Sequence, residues 1–507
     1  MRILMLSAEV APFATVGGLS QVLYFLSQSL LKGDHDVRIF TPFHGKIQQK
    51  KYRTKILIKD FKIPAQTPIV KTTPYIECKL RIYKTKKPIV YFLENREYYT
   101  LRENVFGYGD DHMRFYLMCR GCLEWLLLQK QQNKWFPEVI HVHDWHAAYF
   151  IELARKEKRY AQLLESIPIL FSVHNFRYQG NMDFSFLPPT TRDRGTEKLA
   201  GMFEKKLQHQ NALLRGILHA DWINTVSPTH AIEVLDAQYG EGLEKVLQRK
   251  RAILSGVING LDTHTFDPSH DPLIGKKYSL TTLEKRRENK KILQKEFGLE
   301  EDPNKPLLAF LGRIDKQKGL HLILEILEQL LQETNIQFVI LGGGDQQLAN
   351  EFRLLAQKYP KRIGTHLYAN FKLPHKIFAG ADMILMPSMF EPGGIVALEA
   401  LRYGCVPVVR KTGGLSDTVK DFDPAQKTGN GFSFVAPTST ALLIACIRAL
   451  ETYRNTKLWT TVITNAMETD FSWDTSMKEY VKLYKKIIEI RKRQLSPNPN
   501  PAFVELK

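Results

Sequence analysis

The sequence predicts an α/β protein of two doubly wound domains, on three observations. Short apolar runs bounded by polar turns recur in both halves and alternate with helix-period segments, the pattern of parallel strands buried on both faces. The 507 residues exceed what one ordinary core supports. A Gly-Gly turn between a strand and a helix occurs once in each half, as Val16-Gly17-Gly18-Leu19-Ser20 and as Lys411-Thr412-Gly413-Gly414-Leu415-Ser416-Asp417. Open α/β sheets bind ligands at the carboxyl ends of strands near the topological switch point, so two such turns would face a common central cleft.

In the first half, strands are expected at Ile3–Leu6, Asp36–Phe40, Val139–His143, Ile169–Val173 and Trp222–Val226. Ala11–Val22 follows the first of these and leads into an apolar-periodic helix through Leu30, yet no lysine or arginine lies between Arg2 and Lys32. Its glycine turn therefore brings no cation of its own to a phosphate. In the second half, strands recur at Leu307–Leu311, Gln337–Leu341, Met383–Met386 and Val406–Val409. The polar stretch Asp262–Lys305, punctuated by Asp-Pro and Gly-Lys-Lys, reads as the crossing between domains. The expected division is 1–260, 261–475 and 476–507, the last holding a helical segment (Thr475–Arg493) and a frayed Pro/Asn-rich end, Ser496–Pro501.

An apolar content of 44% and a charged content of 24% are those of a soluble globular protein. The net charge of +18 would suit an anionic partner. The basic residues are scattered, however, and no RNP, zinc-finger or helix-turn-helix signature occurs. Nucleic acid is not expected as a partner, and neither is a membrane, because no apolar run is long enough to span one. The N-terminal apolar stretch is short, precedes Glu9 and reads as a first strand rather than a secretory signal. Five cysteines, Cys78, Cys119, Cys122, Cys405 and Cys446, form no disulfide framework and point to a reducing, cytoplasmic location. Cys119-Arg-Gly-Cys122 lies in a helical apolar pattern with no second pair to complete a metal site.

The strongest constellation runs from Pro387 to Asp417, P-S-M-F-E-P-G-G-I-V-A-L-E-A-L-R-Y-G-C-V-P-V-V-R-K-T-G-G-L-S-D. Glu391 and Glu399 are eight residues apart, which would place both carboxylates on one side of a helix start. Free N–H groups of residues 393–396 would face hydroxyl or phosphate oxygens there. Glu391 could accept from sugar hydroxyls and Glu399 from a ribose. Gly312-Arg-Ile-Asp-Lys-Gln-Lys-Gly-Leu320 follows a strand, and Arg313 and Lys318 could meet a leaving diphosphate. His141-Val-His-Asp-Trp-His146 and His174-Asn-Phe-Arg-Tyr-Gln-Gly180 end neighbouring strands. H-x-H-x-x-H on a strand end splits its ligands between faces, so no metal is expected. Asp144 and His174 could instead hold sugar hydroxyls or steady a cationic transition state, while His141 and His143 are also compatible with satisfied core positions. Thr225-Val-Ser-Pro-Thr-His230 reads as a capped strand-to-helix turn, and Ile258-Asn-Gly-Leu-Asp262 places Asn259 at the domain junction.

With these segments, and with S-A-E-V-A-P-F, Y-G-D-D-H-M-R-F, Y-G-E-G-L and H-K-I-F-A-G-A-D-M-I-L-M-P-S in the same order, the chain resembles the bacterial glycogen synthase and plant starch synthase family from Met1 to about Lys485. The resemblance implies two Rossmann-like doubly wound domains of the GT-B type, facing a central cleft and closing on the donor, with the C-terminal helix crossing back. It also implies a retaining transfer of glucose from ADP-glucose, or UDP-glucose, to glycogen or another α-1,4-glucan, without a metal or other cofactor. By the same resemblance Arg313 and Lys318 would bind the diphosphate. Glu391 and the backbone at Gly394 and Ile395 would hold the glucose, Glu399 the ribose, and Thr412, Gly413 and Gly414 the phosphates. Asp144, His174 and Asn259 would shape the glucose and acceptor side, with Asn175 and Tyr178 toward the acceptor, and Thr15, Gly17 and Gly18 would meet the donor.

Departures from the family's pattern are Thr15 where its first turn carries lysine, Gln21 where an acid is usual, and Gly393 where cysteine is usual. The tyrosine of its Y-x-E-x-x-x-H segment falls one residue early, at Tyr368. A catalytically weak glucan-binding homologue and a GT-B glucosyltransferase with a small acceptor are the alternatives.

Overall fold

A computed structural model describes residues 1–65, 74–85, 87–180, 184, 187–188 and 190–496, so the end expected to fray lies, from residue 497, outside the described residues. The chain divides into two compact units. One holds Met1–Val226, Ala231–Gly260 and the C-terminal segment from Trp473; the other holds Ser227–His230 and Leu261–Ser472.

The first unit contains β1 (Arg2–Leu6), β2 (Asp36–Pro42), β3 (Lys55–Pro64), β4 (Tyr75–Tyr83), β5 (Ile89–Glu94), β6 (Val139–His143), β7 (Ile169–Val173), β8 (Trp222–Thr225) and β9 (Leu254–Gly256). They form one sheet in the order β3-β4-β5-β2-β1-β6-β7-β8-β9, parallel from β5 to β9. The chain reverses direction across the sheet between β1 and β6, so the switch point lies where the loop after β1 and the first residues after β6 emerge. The helix Gly18–Lys32 follows that loop, and the helix Asp111–Gln131 buries Cys119 and Cys122. The C-terminal helix Trp473–Gln494 belongs to this unit and packs on Gly18–Lys32, burying Tyr480, Leu483, Tyr484 and Ile487.

The second unit contains β10 (Leu307–Leu311), β11 (Gln337–Leu341), β12 (Ile363–His366), β13 (Met383–Met386), β14 (Val406–Arg410) and β15 (Phe432–Phe434), all parallel in the order β12-β11-β10-β13-β14-β15. Its switch point lies between β10 and β13. Ser227 Oγ and the Thr229 N–H and hydroxyl donate to Asp417, which seats the short Ser227–His230 segment in this unit, and Ser227 Oγ also accepts from His230 N at 2.9 Å. Among the described residues no helix is long and apolar enough to cross a membrane.

The apolar runs expected as strands are all strands. Those not expected are β3, β9, β12 and β15 at the sheet edges, with β3 showing solvent its Lys55, Lys59 and Lys62, and β4 and the apolar β5, which lie inside the first sheet.

The stretch Asp262–Lys305, expected as a crossing, is instead built into the second unit, since the crossing itself is sharp at Gly260–Leu261. Asp271 accepts from Tyr403 OH at 2.5 Å and lies 2.7 Å from His375 Nδ1. The helix Arg286–Glu296 buries Arg286, whose guanidinium donates to the carbonyls of Gly404 and Ala381, both at 2.6 Å. Lys290 Nζ lies 2.6 Å from Asp382 Oδ2, which also accepts from Leu307 N at the start of β10. Burial holds the Lys290 ammonium below the ordinary lysine range. Polar composition misleads here because each buried polar group has a partner that lies far away in sequence.

Removing one partner of the Lys290–Asp382 pair leaves a buried charge alone. Lys290→Ala is expected to destabilise the protein by about 3–5 kcal/mol, read from the urea midpoint of the second unit's unfolding. A midpoint unchanged from wild type would contradict that embedding.

Candidate active site

In the second unit three strand-end loops meet backbone to backbone. Gly319, at φ +72°, caps the helix Leu320–Glu333, and a Cβ there would lie 2.0 Å from the Pro387 carbonyl oxygen. A Cβ on Gly413 would lie 2.2 Å from the Glu391 carbonyl, and one on Gly414 would lie 2.3 Å from the Gly393 carbonyl. Gly414 N donates to the carbonyls of Glu391 and Pro392, each at 3.0 Å. The second Gly-Gly turn thus serves first to seat the Glu391 loop, and the Gly414 N–H expected at the phosphates is engaged within the protein. Arg410, on β14, supports the same loop by donating to the carbonyls of Ser388 and Met389.

The packing brings Lys318 Nζ to 2.5 Å from Glu391 Oε2, which also accepts from Ser388 Oγ at 3.0 Å. Arg313 leaves β10 two residues past its end, 61% exposed at the side chain, and lies 3.1 Å from Asp315. The helix after β13 runs Ile395–Arg402 with Gly394 as an N-cap that offers no side-chain acceptor. Glu391 therefore lies in the loop and not on the helix, and the idea of two carboxylates on one helix face is corrected: the left-handed Gly394 (φ +62°) interrupts the periodicity between them. Glu399 is on the helix, partly buried, and has no protein partner among the described residues; burial raises its carboxyl to about 8. A carboxyl in that state has room for a ligand hydroxyl.

In the first unit, the loop after β1 folds back as a Val10–Ala14 bridge and presents Thr15, Val16, Gly17 and Gly18 to solvent. Buried Glu9 accepts from Val16 N at 2.6 Å. Burial raises the Glu9 carboxyl to about 7 against the opposing amides of Val16 and Gly17 and the charge of Lys46. Lys46 Nζ donates to the Thr15 carbonyl at 2.9 Å. A cation does reach the turn, from a segment after β2. Sequence inspection missed both residues because the acid precedes the turn and the lysine comes from another strand end.

Asp144 opens the helix Asp144–Lys156 at φ +56°, a left-handed conformation an aspartate tolerates better than most residues. Its Oδ1 accepts from His174 N at 2.8 Å, and burial raises its carboxyl against the pull of His174. His174 Nε2 lies 3.2 Å from His143 Nδ1. His141 contacts Tyr484 OH and Ser172 Oγ, while His146 stacks on Trp145. His141 and His143 thus share one face of β6, ring beside ring, against the expected split between faces, and only His146 turns elsewhere, to Trp145. Asn175 Oδ1 accepts from Arg177 N, and Tyr178 is 59% exposed beside it. Buried Gln179 pins this loop by donating to the Glu241 carbonyl at 2.9 Å, which links two motifs that sequence reading kept apart. Asn259, 4% exposed, keeps Oδ1 without a partner among the described residues.

Residues 2–249 match the starch synthase catalytic domain family, and residues 291–466 match the glycosyl transferases group 1 family. The chain is 38% identical to a glycogen synthase of Fervidobacterium nodosum over 96% of its length and 99% of that protein's. It is also 38% identical to a glycogen synthase of Thermosipho melanesiensis over 97% of its length and all of that protein. The catalytic domain of starch synthase IV from Arabidopsis thaliana, bound to ADP and acarbose, superposes with a TM-score of 0.80 at 29% identity, covering 96% of this chain and 99% of the plant one.

The raised Glu399 carboxyl has a consequence for stability. The folded protein keeps a proton there that the unfolded chain releases near its ordinary value of 4.5, so folding loses stability as pH rises from that value to about 8. Glu399→Gln removes the loss: the variant's melting temperature is expected to exceed wild type's by a margin that widens across this window. Parallel melting curves through the window would refute the assignment.

Proposed function

The chain belongs to the glycogen synthase family, and on that premise we propose that this glucan glucosyltransferase takes glucose from ADP-glucose, or UDP-glucose, and adds it with retention to the non-reducing end of an α-1,4-glucan. The observation that carries this reading is the placing of Arg313 and Lys318 at the carboxyl end of β10, beside the Glu391 loop at the end of β13. The Arabidopsis relative bound to ADP favours an adenine nucleotide.

The second unit holds the donor. Glu399 accepts from the ribose, the amides of Gly394 and Ile395 and the Glu391 carboxylate hold the glucose, and Arg313 and Lys318 meet the diphosphate. Lys318, paired with Glu391 in the free protein, turns its remaining N–H donors to the phosphate oxygens. As the bond from the anomeric carbon to the phosphate oxygen breaks, negative charge gathers on the diphosphate, where these two cations and a helix N-terminus are already aimed. The proposed route uses no enzymic nucleophile. The acceptor hydroxyl attacks from the face the diphosphate leaves, and its proton passes to the departing phosphate oxygen. The new bond joins the anomeric carbon to the glucan oxygen, and configuration is kept. Asp144 of the first unit steadies the positive sugar, His174 holds a sugar hydroxyl, and Asn175, Tyr178 and Asn259 meet the acceptor side. The two cations take the place a metal would have on the diphosphate, so no metal or other cofactor is required.

Purified protein with glycogen is expected to release ADP from ADP-glucose, and the added residues are expected to show α-anomeric protons by NMR. Release with a small sugar but not with glycogen would favour a small-acceptor enzyme. Glycogen binding without release from either donor would favour a binding homologue. Arg313→Ala or Lys318→Ala is expected to lower kcat by about 10²-fold or more; a change under about threefold in either would sink its assigned role.

A further inference from the structure

The buried polar residues behind His174 carry a further inference, which rests on the reading of His174 as a residue that touches the sugar. β6 places His141 and His143 on one face, their ring centroids 3.9 Å apart. Neighbouring parallel strands continue the row in register: Ser172 lies opposite His143, Asn224 opposite Ser172 and Ser255 opposite Asn224. A doubly covered parallel sheet is ordinarily apolar at such positions. Here His141, His143, Ser172 and Asn224 are fully buried, and they are joined to one another and to the C-terminal helix. Tyr484 OH lies 2.8 Å from His141 Nδ1, Ser172 Oγ lies 2.7 Å from His141 Nε2, and Asn224 Nδ2 reaches Ser172 Oγ at 3.2 Å and Tyr480 OH at 3.4 Å. His141 is thereby fixed at both nitrogens, and it forms one wall of the slot that holds His143.

We propose that His143 holds His174 in the tautomer that carries its ring proton on Nδ1, so that His174 offers a ligand oxygen a donor and not an acceptor. Burial pushes both rings below the ordinary histidine range, so both are neutral near pH 7 and each carries one ring proton. One of the two facing nitrogens, His143 Nδ1 or His174 Nε2, must donate across their 3.2 Å separation. His143 Nε2 is buried and has no partner among the described residues. Were His143 Nδ1 the acceptor, Nε2 would carry an N–H with nowhere to donate, and a buried orphan N–H is rarer and costlier than a buried orphan lone pair. The favoured arrangement protonates His143 on Nδ1, makes His174 Nε2 the acceptor, and leaves the His174 proton on Nδ1. That nitrogen has no protein partner among the described residues, on a ring left partly open at the carboxyl end of β7. A donor there suits a hydroxyl or phosphate oxygen. His143 acts through His174 and is a positioning residue.

The test is the tautomer itself. Full-length protein labelled with 15N-histidine, the His174 signals assigned through His174→Gln, is expected to show His174 protonated on Nδ1 in two-bond 1H–15N spectra. His143→Leu is expected to shift His174 toward the Nε2–H form and to lower kcat by about 3- to 10-fold, the worth of one neutral hydrogen bond, with little change in the KM for glucan. His143→Asn, whose side-chain amide can donate from nearly the same place, is expected to restore both the Nδ1–H signal and kcat to within about twofold. Wild-type His174 protonated on Nε2 would overturn the proposal, and so would a His143→Leu variant that keeps the Nδ1–H form. The wild-type spectrum decides the matter even if the leucine variant does not fold. A protein inactive on both nucleotide sugars would count against the glucosyl-transfer reading while the spectrum still judged the tautomer.

Discussion

The contact on which the second unit's site depends is between backbones. The loops after β10, β13 and β14 approach so closely that a single methyl group at Gly319 or Gly413 would overlap a carbonyl oxygen of the Pro387–Glu391 segment. Hydrogen bonds from Gly414 N and from Arg410 close the same contact. Only with the loops seated does Lys318 stand against Glu391, both side chains largely withdrawn from water. An ion pair so placed adds little net stability, because desolvation offsets much of the Coulomb attraction. Its persistence at two adjacent strand ends is better understood as charge held ready for a ligand that carries charge of its own.

The first unit solves a different problem. Its glycine turn has no basic residue, and the structure meets that lack with Lys46, whose ammonium sits on the Thr15 carbonyl. Glu9 lies beneath and takes up the Val16 amide, so the turn is held by side chains on either side of its backbone. The turn is thus a braced, exposed strip of main chain, and it lacks the ring of free amides and cations that a phosphate cradle needs. Behind it, Asp144 and His174 stand at the ends of β6 and β7, and the polar row under His174 runs back to the C-terminal helix. The last helix of the chain therefore contributes to the surroundings of a residue some three hundred positions earlier in sequence.

Much of the fold was legible because strands of a parallel sheet covered on both faces are predominantly apolar. β1, β2, β6, β7, β8, β10, β11, β13 and β14 announce themselves in that way. β3 and β4 did not: the edge strand β3 admits lysines, and β4 beside it alternates Glu77, Lys79 and Arg81 with its apolar residues. The Asp262–Lys305 stretch read as linker for a related reason: Asp271, Arg286 and Lys290 are polar in composition but buried in fact, and their partners lie about 90 to 130 residues away. Among the candidate residues of the two units, Arg313, Lys318, Glu391, Asp144 and His174 stood out as charged or polar residues placed soon after strands, and Glu399 by its spacing from Glu391. Lys46, Arg410 and His143 did not, since each acts on a segment about twenty to thirty residues away, and Glu9 did not because it precedes the turn it braces.

The sequence by itself determined nine of the fifteen strands of the described residues, that each unit carries a Gly-Gly turn ahead of a helix, and which polar residues fall at the ends of those strands. Those are local matters, set by hydrophobic periodicity and by the backbone freedom of glycine. Tertiary structure alone decided what those residues face. Glu391 meets Lys318, Gly414 gives its amide to the Glu391 loop, the charge at Thr15 arrives from Lys46, and His174 is backed by His143. Hydrogen bonds and ion pairs act over a few ångströms and are indifferent to distance along the chain, so these pairings exist only once the sheets have brought their strand ends together.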